Sequence, residues 1–245
     1  SLESDGEATK TVTISGGGAT SIDGLSDGST LGTDNVFLAS GSGGSANTSS
    51  SKNVALGVSS LTSVTASQNT AIGYYSLKNL GMATDNTAVG SNSMKHALTN
   101  ADRNTAIGKG AMQGGSTNYS TVRYNTAIGY ESLYFIETGD AVSENSFYNV
   151  ALGSRALFAT NTGSKNVAIG NEAGFNNLTG SSNVFIGNKA GYNEQGSNKL
   201  YITNTDDDTP LIYGEFDNNK LTVNGKLKVN GNSVTGWNGD AEEIL

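Results

Sequence analysis

Asn69-Thr70-Ala71-Ile72-Gly73-Tyr74-Tyr75-Ser76-Leu77 decides the fold, because its pattern returns along most of the chain. The general form is Asn, then Thr or Val, Ala or Phe, an aliphatic residue, Gly, two variable positions, Ser or Ala, and finally Leu, Met or Gly. Copies begin at Asn53, Asn69, Asn86, Asn104, Asn125, Asn149, Asn166 and Asn183, and a degenerate copy begins at Asn35. They are 16 to 24 residues apart. A period of that size is one rung of a coil, with room for two short strands and two turns, and is too short for a helix pair.

Within the unit, Thr70 and Ile72 share one strand face and Ala71 and Gly73 the other, since side chains alternate along a strand. Neither face is charged. A strand apolar on one side and small on the other is expected to be buried twice, in its own coil and where another backbone comes close. On this reading Ala55, Ala71, Ala88, Ala106, Ala127, Ala151 and Ala168 serve both the core and a tight contact between chains. The closing Gly supplies a positive-φ turn. The small residue that follows and the Leu or Met after it complete the rung. The opening Asn either stacks into a ladder or caps a turn through its own backbone, and the turn role is preferred.

Composition points the same way. With 33 Gly, one Pro and 35% apolar residues, the chain must build its core from small side chains stacked in register or from copies of itself. A net charge of −8 repels nucleic acid. The absence of cysteine removes disulfides and thiolate metal sites. No apolar run approaches the roughly 18 residues of a membrane span. The chain begins at Ser1 without a signal-peptide pattern and is read as a fragment of a longer protein.

The repeats Asn69–Leu77 and Asn166-Val167-Ala168-Ile169-Gly170-Asn171-Glu172-Ala173-Gly174 resemble those of trimeric autotransporter adhesin heads and, more closely, those of phage-type tail fibres. The resemblance covers residues 35 to 195. It implies a left-handed parallel β-roll whose three copies pack side by side, extracellular on a phage-like particle or a bacterial surface. Adhesin-head repeats are shorter and more uniform, so the additional residues here are expected to form loops or short helices. Beyond Tyr192, strand-like runs Asn198–Ile202, Pro210–Phe216 and Lys220–Val229 follow, with Asn224-Gly225 read either as a hairpin turn or as part of a strand continuing along a fibre axis. A similar segment in tail fibres leads to a C-terminal intramolecular chaperone, which is expected to be missing from this chain.

Catalytic chemistry finds little to work with. One histidine, His96, and no cysteine exclude Ser-His-Asp, Cys-His and multi-histidine metal constellations. A polysaccharide-degrading spike needs paired carboxylates, for which Glu131, Glu137, Asp140, Glu144, Glu172 and Asp206 to Asp208 are available, although solvated turn charges are the simpler reading. Asp206 to Asp208 lack the glycine and distal Glu of a calcium loop. The glycine-rich stretches at 15–18 and 40–44 lack the Lys-Ser/Thr of a phosphate loop. Thr70, Thr87, Thr105 and Thr126 would form a file like that of an ice-binding solenoid, but Val at 150, 167 and 184 suggests an interior β-branched position.

Recognition is expected where the repeat lengthens, since loops on a rigid scaffold carry function. The insertion Gln113–Tyr124 offers Tyr119, Arg123 and Tyr124. The insertion Tyr134–Tyr148 offers Tyr134, Phe135, Phe147 and Tyr148. These are the candidate contacts to a cell-surface glycan or protein, with packing of the rings over the roll as the alternative. The expectation is therefore an all-β repeat β-roll or β-solenoid-like fibre, homotrimeric and not an enzyme, without cofactor or metal. Residues 1–34 are a lead-in, 35–195 the repeat body, 196–233 a β-rich section and 234–245 a tail.

Overall fold

The computed structural model describes residues 28–29, 34–43, 50–62, 65, 67–79, 81–96, 101–114, 122–136, 147–206 and 209–227. Most of the 1–34 lead-in, the glycine-rich stretch at 15–18, Tyr119, Glu137, Asp140, Glu144, Asp207, Asp208 and the 234–245 tail lie outside them. The protein is all-β, with no helix among the described residues. Each rung contributes one three-residue strand: β2 (Val36–Leu38), β3 (Val54–Leu56), β4 (Thr70–Ile72), β5 (Thr87–Val89), β6 (Thr105–Ile107), β7 (Thr126–Ile128), β8 (Val150–Leu152), β9 (Val167–Ile169) and β10 (Val184–Ile186). The strands stack in parallel with residues of one repeat position directly above those of the next, giving a β-solenoid of about eight turns. β1 (Gly28–Ser29) pairs antiparallel with β2 at one end.

At the other end β11 (Lys199–Ile202) still pairs in parallel with β10, so the stack runs past residue 195. From there β12 (Ile212–Glu215) and β13 (Lys220–Val223) continue the sheet antiparallel. The turn from β12 to β13 is made at 216–219, where Asn219 takes a φ of 51°. The chain bends again at Asn224-Gly225, and whatever follows 227 lies outside the described residues.

The strand faces are the reverse of the expected use. Ala55, Ala71, Ala88, Ala106, Ala127, Ala151 and Ala168 point into the coil of a single chain and are buried there, so they leave no surface for a second copy. The Thr/Val and Ile/Leu positions on either side point out. The reason is the thinness of the coil: Leu61, Leu77, Met94, Met112, Leu133 and Leu157 come in from the opposite limb and fill the interior, leaving room for only a methyl group beneath the strand. The threonine file is likewise external, which corrects its assignment to an interior position.

The second limb is not a strand. After each rung glycine the backbone alternates between right- and left-handed regions, with positive φ two and four residues on, as at Tyr75 (58°) and Leu77 (48°) or Arg155 (54°) and Leu157 (50°). Each such non-glycine residue is strained, yet the alternation sends the N–H groups of the two left-handed residues to opposite neighbours. Tyr75 N donates to Val58 O of the rung before (3.1 Å), and Leu77 N to Ser93 O of the rung after (3.0 Å). Where Ser stands between them its hydroxyl closes the turn, as Ser76 Oγ does on Gly73 O (3.0 Å). The glycines have a second reason beyond φ. A Cβ on Gly108 would lie 2.3 Å from the carbonyl oxygen of Gly129, and the other glycines of the file meet the next rung in the same way.

The asparagines form a ladder, which reverses the preference for a turn role. Each buried Oδ1 accepts the backbone N–H of the next asparagine, from Asn53 onto Asn35 through Asn183 onto Asn166, and Lys199 N closes the series on Asn183, all at 2.8 to 3.1 Å. Through Asn149 the same oxygen also receives the next Nδ2. The amide still serves the turn as well, because Asn69 Nδ2 donates to Ser67 O two residues back and to Ala83 O of the next rung.

Core volume is conserved across rungs by an exchange of partners. At the first and last rungs the inward Ala becomes Phe37 and Phe185, and the residue six positions on becomes Gly43 and Gly191. A Cβ at either glycine would lie 2.3 or 2.2 Å from its phenylalanine ring. Phe185 also fills the space above Gly174 in the neighbouring rung.

Two outcomes follow from this packing. Asn104→Ala removes the buried acceptor of Asn125 N and Nδ2 and one of the two donors to Val122 O, and is expected to lower stability by about 2–4 kcal/mol in thermal unfolding, against less than about 1 for the outward Thr105→Ala. Phe185→Ala is expected to cost about 3–5 kcal/mol. Adding Gly191→Leu, at a φ of 60° where the other rungs hold leucine, should recover part of that loss, and a double-mutant cycle reads the coupling.

Candidate recognition surface

Stacking a repeat turns each position into a file along the rod, so the candidate residues are best located by file. Tyr124 and Tyr148 occupy the left-handed position just before the ladder asparagine, with φ of 58° and 60°. Their rings stack at 5.0 Å and 8°. Arg103, one rung earlier in the file, donates to the Tyr124 hydroxyl (2.8 Å), sets its guanidinium 5.4 Å from the ring centre and approaches Asp85 at 3.7 Å. Both tyrosines remain substantially exposed, at 41% and 53%. One residue earlier, Arg123 pairs with Asp102 at 3.1 Å and bridges in parallel to Asp102 and Phe147, whose ring meets Tyr148 edge-on at 6.3 Å. Arg123, Tyr124, Phe147 and Tyr148 thus form one cluster.

Tyr134 and Phe135 belong to a different file, on the limb that follows the rung glycine. Tyr134 stands five residues after Gly129 and stacks on Phe158 (5.3 Å), which stacks on Phe175 (4.8 Å), which stacks on Tyr192 (5.0 Å). Phe135 meets Tyr134 and Phe158 edge-on. Their faces are turned on one another, and the rings between Tyr134 and Tyr192 have both faces covered. The sequence carried the signal for Phe158, Phe175 and Tyr192, because each also lies five residues after its glycine. The signal appears only once the repeats are aligned on that glycine.

Charges obey the same logic. Two residues after the glycine, Glu131, Arg155, Glu172 and Lys189 alternate in sign, with Arg155 3.1 Å from Glu131 and 3.8 Å from Glu172, and Lys189 3.2 Å from Asp206. The Asp206 hydrogen bond holds the Lys189 ammonium above its usual range, and Lys189 in turn lowers Asp206. Of the acids available to a polysaccharide-degrading site, Glu131 and Glu172 therefore both lie against one guanidinium, and Asp206 against Lys189. Among the described residues no group of three or more His, Asp or Glu side chains is placed to hold a metal ion, and no helix is long and apolar enough to cross a membrane.

No protein-family model, curated protein or solved structure matches the chain.

A large electrostatic shift lies in the C-terminal hairpin. Glu215 accepts hydrogen bonds from Asn218 (2.6 Å), Lys220 (3.2 Å) and Tyr213 (3.1 Å), which together push its carboxyl down to about 2. Because that value lies below the ordinary 4.5, its contribution is present above the ordinary value and lost as pH falls through 2. Acid titration followed by NMR is expected to give Glu215 a midpoint near 2 and to loosen β12 and β13 over that range, while the amides of the asparagine ladder keep their exchange protection.

Proposed function

We propose that the chain is a structural and receptor-presenting segment of a homotrimeric extracellular fibre, similar to tail-fibre and adhesin proteins. The observation that carries this reading is the outward strand face. From β2 to β10 it holds only Val, Thr, Ile and Leu, in two files without a charge, and a single chain leaves it uncovered: Leu56 and Leu152 are 47% and 45% exposed. With neighbouring strands about 4.8 Å apart, the stripe runs about 40 Å along the rod. A continuous apolar stripe of that length on an otherwise polar solenoid calls for a partner. A second and third copy of the same straight, periodic surface match it in length and register, and closed rotational symmetry is the usual outcome for self-complementary chains. The seam proposed is therefore the Ile/Leu face and not the alanine face.

The outward position of Thr70, Thr87, Thr105 and Thr126, in register beside Ile72, Val89, Ile107 and Ile128, supports a second reading as an ice-binding face on a monomeric rod. The two readings use the same surface and exclude one another. Light scattering on a sizing column is expected to give a mass near three times 25.1 kDa, and no thermal hysteresis. A 25.1 kDa particle would sink the trimer. Leu152→Lys, on the outward face, is expected to reduce the mass threefold while the circular dichroism of the coil is retained.

A further inference from the structure

Between Asn35 and Ala101 the sequence carries three lysines, at 52, 78 and 95, and a single acid, Asp85, in a chain whose net charge is −8. Lys78 and Lys95 stand five residues after Gly73 and Gly90, in one file on adjacent rungs. Both gather on the same ring: their ammonium groups lie 3.8 and 5.5 Å from the centre of Tyr75. Tyr75 in turn stacks on Tyr74 at 3.8 Å, and Tyr74 is 48% exposed. Among the described residues no acid pairs with either lysine, and Asp85 is directed to Arg103. Farther along the rod, charges on adjacent rungs alternate in sign at Glu131, Arg155 and Glu172 and again at Lys189 and Asp206. The like-signed pair breaks that rule. Its field is felt by neighbours, since His96 is lowered first by burial and then by Lys95 and Lys78.

We propose that Tyr74, Tyr75, Lys78 and Lys95 form a binding face for an acidic polysaccharide, with the two lysines holding carboxylates and Tyr74 stacking on a sugar ring. This rests on the reading of the chain as a receptor-presenting fibre and names its receptor chemistry. Two cations one rung apart are spaced for anionic groups strung along a polymer, and an incoming carboxylate relieves their mutual repulsion. The rings give apolar area next to the charges, as sugar-binding surfaces do. Nucleic acid, with its denser charge, is opposed by the overall negative field. In a trimer the face occurs three times, so a repeating polymer binds with avidity.

The test uses the full chain and a fluorescent hexagalacturonate, followed by anisotropy, with its fully methyl-esterified counterpart as the neutral control. The acid form is expected to bind saturably, more weakly as salt rises, and to raise the melting temperature. The ester, and the Lys78→Gln/Lys95→Gln variant with the acid form, are each expected to bind at least tenfold more weakly. Tyr74→Ala should weaken binding about threefold or more, and Lys165→Gln should leave it unchanged. Circular dichroism melts confirm that each variant is folded.

The proposal is overturned if the wild-type chain fails to bind the hexamer, if the lysine variant binds as well as wild type, or if the ester or a thymidine hexanucleotide binds as tightly. Adhesion to intact cells, measured on the same samples, separates the two readings. Adhesion untouched by the lysine changes removes the acidic-sugar face and keeps the fibre. A chain that adheres to nothing removes both.

Discussion

Everything in this rod depends on how a buried carboxamide is satisfied. An asparagine side chain inside the coil is costly unless every donor and acceptor is met, and here its oxygen is met by the backbone N–H of the next rung. That one contact sets the height of a rung and its rotation. A slip of one residue would place a Thr or Val, or the charged, polar or aromatic residue on the other side of the Asn, where the ladder needs an amide, so register is enforced by a large penalty and not by a small preference. Insertions of different length can then interrupt the repeat without disturbing the stack, since the 16-residue step from Asn53 to Asn69 and the 24-residue step from Asn125 to Asn149 end in the same hydrogen bond.

Above the ladder, the rod differs along its length. Toward the C-terminal end, rungs are tied by stacked rings from Tyr134 to Tyr192 and by charges of alternating sign. The asparagine pairs Asn171–Asn188 and Asn176–Asn193 add side-chain links between adjacent rungs there. Toward the N-terminal end those files hold Thr62, Lys78, Lys95 and Gln113 instead. In a quasi-one-dimensional assembly, stability is a sum of rung and interface terms, so the two ends are held with different strength while sharing one cross-section.

How much of this was legible in the sequence follows from what periodicity can and cannot encode. The unit, its boundaries at Asn and Gly, and the stacking of small residues were readable because they recur. The facing of the strand was not, because a three-residue strand offers one inward residue and two outward ones, and alternation is silent on which set meets the core. Leu77, which decides it, comes from the opposite limb. The period leaves room for a strand on the second limb, whereas its alternating φ has no signature in residues such as Tyr75 and Leu77, which take left-handed conformations only because their N–H groups find carbonyls on neighbouring rungs. For the recognition residues, proximity of Arg123 to Tyr124 and of Phe147 to Tyr148 was trivial in sequence. Their union across 24 residues required the register.

The pairing of Phe37 with Gly43 and of Phe185 with Gly191 bears on how such a gene can change. Units from Asn53 to Leu157 carry Ala opposite Leu or Met and so share one core volume, which lets unequal crossing-over among them lengthen or shorten the rod without opening a cavity. The last unit is less so, because an exchange there would part the Phe185 ring from Gly174 of the unit before, which leaves room for it.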